Sequence, residues 1–335
     1  MSQKPNILIN LPPTYFTVPQ LTAHFARLYE MGNVKTTSYN TPEEIAEDAK
    51  WADAIIMWAW PLLDDELLAE CKNLKFLGQI DSGQNQAEIC VKRGLSLSNS
   101  RHGWSPSVAE MALTLILCGL RRVSDYHMKF RTNDESWVNE FPLDIDPRER
   151  QLSGRKVGIV GFGGIGQRLA ELMKPFNVQI SAYDPFLPDE VFRKFGAVNT
   201  ELEKVCLENE IIVLCASPNA SSHHLVNREM VESMQPGSLL VNVGRSWLID
   251  MDALTERLHK GDMDAMLDVF ETEPLEADSI LRTLPNAFLT SHRAGGIYES
   301  LYRALTMLTD DLQAHLEGKP LKYQITANHI KGMAG

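Results

Sequence analysis

No apolar run in this sequence is long enough to cross a membrane. The longest, Met111 to Leu120, lies between Glu110 and Arg121. It is about half of the ~20 residues that a spanning helix needs, so a core helix is expected there. Cysteine is scarce. Cys71, Cys90, Cys118, Cys206 and Cys215 form no Cys-x-x-Cys pair, so neither a disulfide framework nor a zinc site is indicated. Each sits in an apolar or helical context and is expected to be a buried, reduced thiol. Positive charge is in short supply too: 32 Lys and Arg face 44 Asp and Glu, a formal charge of −12 with no basic block to offset it. Such a chain repels phosphate backbones and anionic lipid, so neither nucleic acid nor membrane is an expected partner. Internal repeats and low-complexity tracts are absent. The first residues, Met1 to Pro5, lead directly into the strand-like stretch Ile7 to Leu11 without the regions of a signal peptide, and a cytoplasmic location is expected.

What the sequence does have is ordinary soluble composition, 44% apolar and 23% charged, over 335 residues. This excludes disorder as the main state, and the length exceeds the ~250–300 residues at which a single core stops growing, so two domains are expected. Short β-rich runs alternate with amphipathic stretches, as parallel sheets with crossover helices require. The first series of strands is expected at Asn6 to Leu11, Val34 to Tyr39, Asp53 to Trp58 and Lys75 to Ile80. A second runs through Lys156 to Gly161, Val178 to Tyr183, Ile211 to Ala216, Ser238 to Val243, Ala265 to Val269 and Ala287 to Thr290. Thr41-Pro42-Glu43-Glu44 reads as a helix start, with Thr as cap, Pro at the first helical position and acids at the positive end. Ser105-Pro106-Ser107 reads the same way for the helix that holds Val108 to Leu120. The polar segment Thr132 to Gln151, broken by Pro142 and Pro147, is an expected exposed excursion, and a last helix from Ile297 to Glu317 should stop at Gly318-Lys319-Pro320.

Gly161-Phe162-Gly163-Gly164-Ile165-Gly166 follows the apolar strand and opens a helix. In such a loop the first glycine allows a tight turn, the second lets backbone approach a pyrophosphate, and the third permits close packing of helix on strand. Asp184 ends the next strand, where a carboxylate can accept from both hydroxyls of an adenine ribose and would repel a 2′-phosphate. NAD is therefore the expected cofactor and NADP is disfavoured. Further on, three strands each end in a charged residue. These are Arg245 after Val241-Asn242-Val243-Gly244, Glu273 in Leu267-Asp268-Val269-Phe270-Glu271-Thr272-Glu273-Pro274, and His292 in Thr290-Ser291-His292-Arg293-Ala294-Gly295-Gly296. In a doubly wound sheet, ligands bind outside the carboxyl ends of the strands, so these three can converge on one pocket.

With these motifs, and with Ser107-Val108-Ala109-Glu110 and Leu152-Ser153-Gly154, nearly the whole chain resembles the D-isomer-specific 2-hydroxyacid dehydrogenases. The resemblance implies two doubly wound parallel α/β domains. A Rossmann cofactor domain, residues 101–293, would be inserted into a flavodoxin-like substrate domain, residues 1–100 and 294–335, with the active-site cleft between them. It implies Arg245 as the grip on the substrate carboxylate, His292 as proton donor and acceptor, and Glu273 as its carboxylate partner. Asp268 corresponds to a residue near the nicotinamide, and the backbone of Ser82 and Gly83 to a second carboxylate grip. Besides the glycine loop and Asp184, it places Ser217, Val243, Gly244 and Gly295 against the cofactor. The implied activity is hydride transfer between NAD(H) and C2 of a D-2-hydroxy or 2-keto acid, as a glyoxylate- or hydroxypyruvate-type reductase or one for a bulkier keto acid, in a homodimer and without a metal. Formate or phosphite oxidation on the same scaffold, or an NAD-sensing corepressor or scaffold role, are the alternatives.

The sequence departs from the family pattern at Ser246, where glycine is usual, at Arg293 beside the histidine, and at Ser217-Pro218. These touch substrate identity rather than reaction type. Trp58 and Trp60 either wall a substrate side-chain pocket or pack in the core or hinge. Arg101, with His102 and Trp104 ahead of the Ser105 cap, either meets a second anionic group on the substrate or supports the hinge.

Overall fold

The structure is a computed structural model that describes residues 4–58, 60–80, 86–218 and 220–331. The chain divides into two compact units, Met1–Trp104 with Ile297–Gly335, and Ser105–Gly296. In the first, five parallel strands stand in the order β2-β1-β3-β4-β5: β1 Asn6–Asn10, β2 Asn33–Thr37, β3 Ala54–Met57, β4 Phe76–Gln79 and β5 Ser96–Asn99. This is the flavodoxin-like order. The runs Ile7-Leu8-Ile9 and Ala54-Ile55-Ile56-Met57 are apolar throughout because both faces of the sheet are covered, and all seven side chains are buried. Helix Tyr298–Leu316 lies on one face, where Ala304, Leu305, Leu308 and Leu312 join Ile7, Ile9, Ile56 and Phe76 in one core.

The second unit carries seven parallel strands in the order β12-β11-β10-β9-β6-β7-β8. They are β6 Lys156–Val160, β7 Gln179–Tyr183, β8 Ala197–Asn199, β9 Ile211–Leu214, β10 Leu239–Asn242, β11 Asp264–Leu267 and β12 Ala287–Leu289. This is the Rossmann order, extended by a seventh strand, and its topological switch point lies between β6 and β9.

Both sheets hold one strand more than the sequence pattern suggests. β5 reads Ser-Leu-Ser-Asn, with a single apolar residue, yet three of its four residues are buried. Ser98 Oγ donates to Asp311 Oδ2 at 2.7 Å, a bond to a charged group in a class worth about 1.5–3 kcal/mol. β8 is a three-residue edge strand, too short to show a period.

Capping residues behave as their types dictate at two of the expected helix ends. Thr41 forms a capping box with Glu44 at the start of the helix Pro42–Trp51, and Gly318 takes φ +66 just past the helix Tyr298–Leu316. A third expectation is corrected. The long helix starts at Arg101, not at Ser105, and runs to Leu120 with Pro106 inside it. Asn99 Oδ1 accepts the Arg101 N–H, and the Gly103 N–H donates to Ser100 O, so the first turn closes before proline is reached. Arg101, His102 and Trp104 are thus helical residues, and the boundary between the units falls within this helix, one residue before Pro106. Four of the five cysteines are buried, Cys118 is half-buried, and none is paired. Burial pushes the Cys90, Cys206 and Cys215 thiols up to about 12.

Candidate active site

The glycine loop occupies the switch point of the second unit's sheet. Gly161 has φ +91, a conformation that L side chains rarely adopt, and a Cβ there would lie 2.4 Å from Ala216 Cα in the segment after β9. Gly166 backs onto Gly161 O, which a Cβ would approach to 2.5 Å, so only hydrogen allows the helix to sit this close to the turn. Between them Gly163 caps the helix Gly164–Met173, and a Cβ on it would meet nothing within 4 Å. The three glycines therefore differ physically: a turn, an open approach and a close contact. No side chain caps this helix and its first turn has no acid, so its N–H groups are available to a diphosphate. Phe162 anchors the loop, fully buried and stacked on Phe192 at 4.7 Å between ring centres. These features fit the pyrophosphate of a dinucleotide.

Asp184 follows β7 beside the loop. Its Oδ2 accepts the Phe162 N–H at 2.9 Å and its Oδ1 the Phe186 N–H at 3.1 Å. Burial raises its carboxyl above the ordinary range, against the pull of the Phe186 and Phe162 N–H groups. Each oxygen retains a lone pair for a ribose hydroxyl. Ser217 is exposed beyond β9.

The three charged residues all belong to this unit and all follow strands at the same end of its sheet. Glu273 Oε2 meets His292 Nδ1 at 2.6 Å, and its Oε1 accepts the Phe270 N–H at 3.0 Å. Partial burial pushes the Glu273 carboxyl up. The His292 and Phe270 hydrogen bonds, with the charges of His292 and Arg245, outweigh it and hold the group below its ordinary value. His292 and Glu273 keep 43% and 37% side-chain exposure, so the pair is open to a substrate. Arg245 is exposed and extended after β10, with Nη1 on its neighbour Gly244 O at 2.8 Å. Asn242 holds that turn, donating to Arg245 O at 3.0 Å and accepting the Gly244 N–H at 3.1 Å. Val243 and Gly244 are buried, and Ser246, where the family has glycine, fits as a buried residue opening the short turn Ser246–Leu248.

His292 has φ +50, in the left-handed region, where a non-glycine residue must be held. The holder is Asp268, fully buried at the end of β11. Its backbone O accepts the His292 N–H at 2.8 Å. Its Oδ1 accepts from Thr290 Oγ1 at 2.5 Å and from the Arg293 N–H at 2.8 Å, and its Oδ2 accepts the Ala294 N–H at 2.8 Å. The carboxylate expected near a nicotinamide thus has three protein donors and fixes the loop that presents His292. Gly295 and Arg293 follow in that loop, Arg293 exposed.

In the first unit the aromatic residues form a cluster at the carboxyl ends of β1, β3 and β4. Trp58 and Trp60 stack at 5.2 Å, and Tyr15 and Trp104 each approach Trp58 at 6.2 Å. Trp58 is partly buried against the core while Trp60 is 48% exposed, so the second ring is the more open of the two. Ser82 and Gly83 lie outside the described residues. Asn242 and Thr290 carry no expectation from sequence. The only trace of them there is a polar residue at a buried strand's end.

Residues 113–294 match the family model described as D-isomer specific 2-hydroxyacid dehydrogenase, NAD binding domain, and the chain belongs to this family. It is an oxidoreductase that binds a nicotinamide cofactor and acts on the CH–OH group of 2-hydroxy acids. Over 96% of its length it is 28% identical to a glyoxylate/hydroxypyruvate reductase of Arabidopsis thaliana, covering 97% of that protein. It is also 28% identical to the D-3-phosphoglycerate dehydrogenase of Methanocaldococcus jannaschii over 87% of the chain, which spans only 55% of that longer protein. Among solved structures, a 2-hydroxyacid dehydrogenase from Ketogulonicigenium vulgare superposes with a TM-score of 0.77 at 25% identity, over 98% of this chain and all of the other. D-mandelate dehydrogenase of Rhodotorula graminis shares the fold, with a TM-score of 0.82 at 23% identity, over 96% of this chain and 97% of the other.

Proposed function

We propose that this protein is an NADH-dependent 2-keto acid reductase that forms D-2-hydroxy acids, with Arg245, Glu273 and His292 as its catalytic group. The observation that carries the reading is the 2.6 Å contact of His292 Nδ1 with Glu273, made at the same sheet end as the glycine loop and Arg245. The contact leaves Nε2 free. Arg245 binds the substrate carboxylate, for which a guanidinium fork is suited, and polarises the keto oxygen. His292 donates a proton from Nε2 to that oxygen and takes it back in the oxidative direction. Glu273 orients the ring through its contact with Nδ1, and Asp268 keeps the loop in register. The bound nicotinamide supplies or accepts the hydride at C2.

For the cofactor, the loop 161–166 and the helix start at Gly164 would hold the pyrophosphate and Asp184 the adenine ribose, with Ser217, Val243, Gly244 and Gly295 at its edges. The Asp184 carboxylate supports NAD over NADP, since a 2′-phosphate beside it would be repelled. Unit Ser105–Gly296 is then the cofactor domain. The other unit is the substrate domain, with Trp60 as an apolar wall for the substrate side chain. A cytoplasmic homodimer completes the proposal. It is supported by the unpaired thiols and by exposed apolar residues in the 132–151 segment, Trp137, Val138, Phe141 and Leu143.

Steady-state turnover of a panel of 2-keto acids, from glyoxylate to bulky aromatic ones, with NADH and with NADPH, tests this. The expected result is NADH oxidation with at least one of them and a kcat/KM at least about tenfold lower with NADPH. Cofactor binding without turnover on any keto acid, or turnover on formate instead, would overturn it.

A further inference from the structure

The start of the helix Arg101–Leu120 has an electrostatic arrangement that no charge among the described residues balances. Its first turn lacks an acid and carries Arg101 and His102 at the positive end of the helix dipole. Arg101 is half-buried, and its guanidinium has no carboxylate or hydrogen-bond acceptor among the described residues. Burial without such a partner lowers its affinity for its proton. His329, on the helix Ala327–Lys331 of the same unit, accepts from the Thr326 N–H at Nδ1, so its Nε2 is left as a donor. Partial desolvation and then the Arg101 charge hold both His102 and His329 below their ordinary values.

A second observation is independent of the helix. Gln79 and Asn99 are register partners at the ends of β4 and β5, so their side chains share one face of the sheet. Both are buried, at 0% and 2% exposure. Among the described residues, neither Nε2 nor Oε1 of Gln79 has a hydrogen-bond partner, and neither does Nδ2 of Asn99. Asn99 is aimed at the helix start, since its Oδ1 accepts the Arg101 N–H at 3.3 Å. Buried amides are nearly always satisfied, because an unmet donor costs its full desolvation. Here the unmet Asn99 donor belongs to the amide that meets the backbone of Arg101.

We propose that the Arg101 guanidinium, the Asn99 amide and the positive end of this helix form a binding site for one oxyanion, a carboxylate or a phosphate. Gln79 and His329 complete its donor set. The site belongs to the first unit and is separate in sequence and sheet from Arg245, the cation assigned to the reacting carboxylate. The oxyanion is either the distal acidic group of a dianionic keto acid, which would deepen the reading under Proposed function, or a free anion acting as an effector. The chemistry of the site is the same in both cases.

The test has one arm that needs no turnover. Calorimetric titration of the NADH-bound protein with inorganic phosphate should show saturable binding, weakened at least about tenfold in Arg101→Gln and less in Arg101→Lys, as loss of a charge-assisted contact requires. Equal binding by the wild type and Arg101→Gln, or no binding by either, overturns the site even if the enzyme reduces keto acids. The second arm compares KM for oxaloacetate and 2-oxobutyrate. A rise in their ratio in Arg101→Gln identifies the substrate's distal group as the occupant, and an unchanged ratio with lost phosphate binding identifies a separate effector. If Arg101→Gln fails to fold, His329→Gln, which leaves the long helix intact, must show the same weakening, and its absence overturns the site.

Discussion

At the scale of single residues, catalysis depends on a pair and on what holds it. His292→Ala removes the proton donor and should lower kcat by about two orders of magnitude or more, while NADH affinity stays within about twofold. Glu273→Gln keeps the shape and removes the charge. Without the anion that orients the ring, kcat should fall by about tenfold or more in this variant. A kcat equal to the wild type would detach Glu273 from the chemistry. Glu273, held below its ordinary value, adds to stability at neutral pH. Its contribution to stability is present above the pH at which a free glutamate ionises and is lost as pH falls through the native value. With both side chains more than a third exposed, that contribution stays in the ~0–1 kcal/mol range of solvated pairs. Arg245, Glu273 and His292 are legible in the sequence because each follows an apolar strand in family order. The work of Asp268 is not, because its partners are mostly backbone N–H groups of a turn whose shape only the folded loop defines.

At the scale of elements, ten of the twelve strands are visible as apolar or alternating runs. The two that are not, β5 and β8, are edge strands whose residues are polar or few. The long helix shows how a strong local signal misleads. Ser105-Pro106 has the chemistry of a cap, but Asn99 and Ser100 close an earlier turn and carry the helix through the proline. This shift turns Arg101 from a loop residue into the first residue of a helix, which is the basis of the anion site. The 132–151 segment, expected to be exposed, carries Trp137 at 66%, Phe141 at 76% and Leu143 at 84% exposure, more apolar surface than a solvated loop retains without a partner. Light scattering should therefore give twice the chain mass of 37.6 kDa, and Phe141→Ser with Leu143→Ser should shift the population toward monomer. A wild-type protein of single-chain mass would contradict the dimer.

At the scale of the whole molecule, two parallel sheets of different strand order account for the length, the apolar content and the doubly wound pattern together. The net charge of −12 describes the surface, while an enzyme for anionic ligands depends on a few donors set against it: the helix start at Gly164, Arg245, His292 and, on the other unit, Arg101. Together these groups serve the transfer of a hydride between the nicotinamide and C2 of a keto acid. Turnover of an accepted keto acid with NADH deuterated at C4, on the transferred face, tests it most directly. The prediction is a D-2-hydroxy acid with one deuterium at C2, read by NMR and chiral chromatography. A product of the opposite configuration, or one without deuterium at that carbon, would contradict the account.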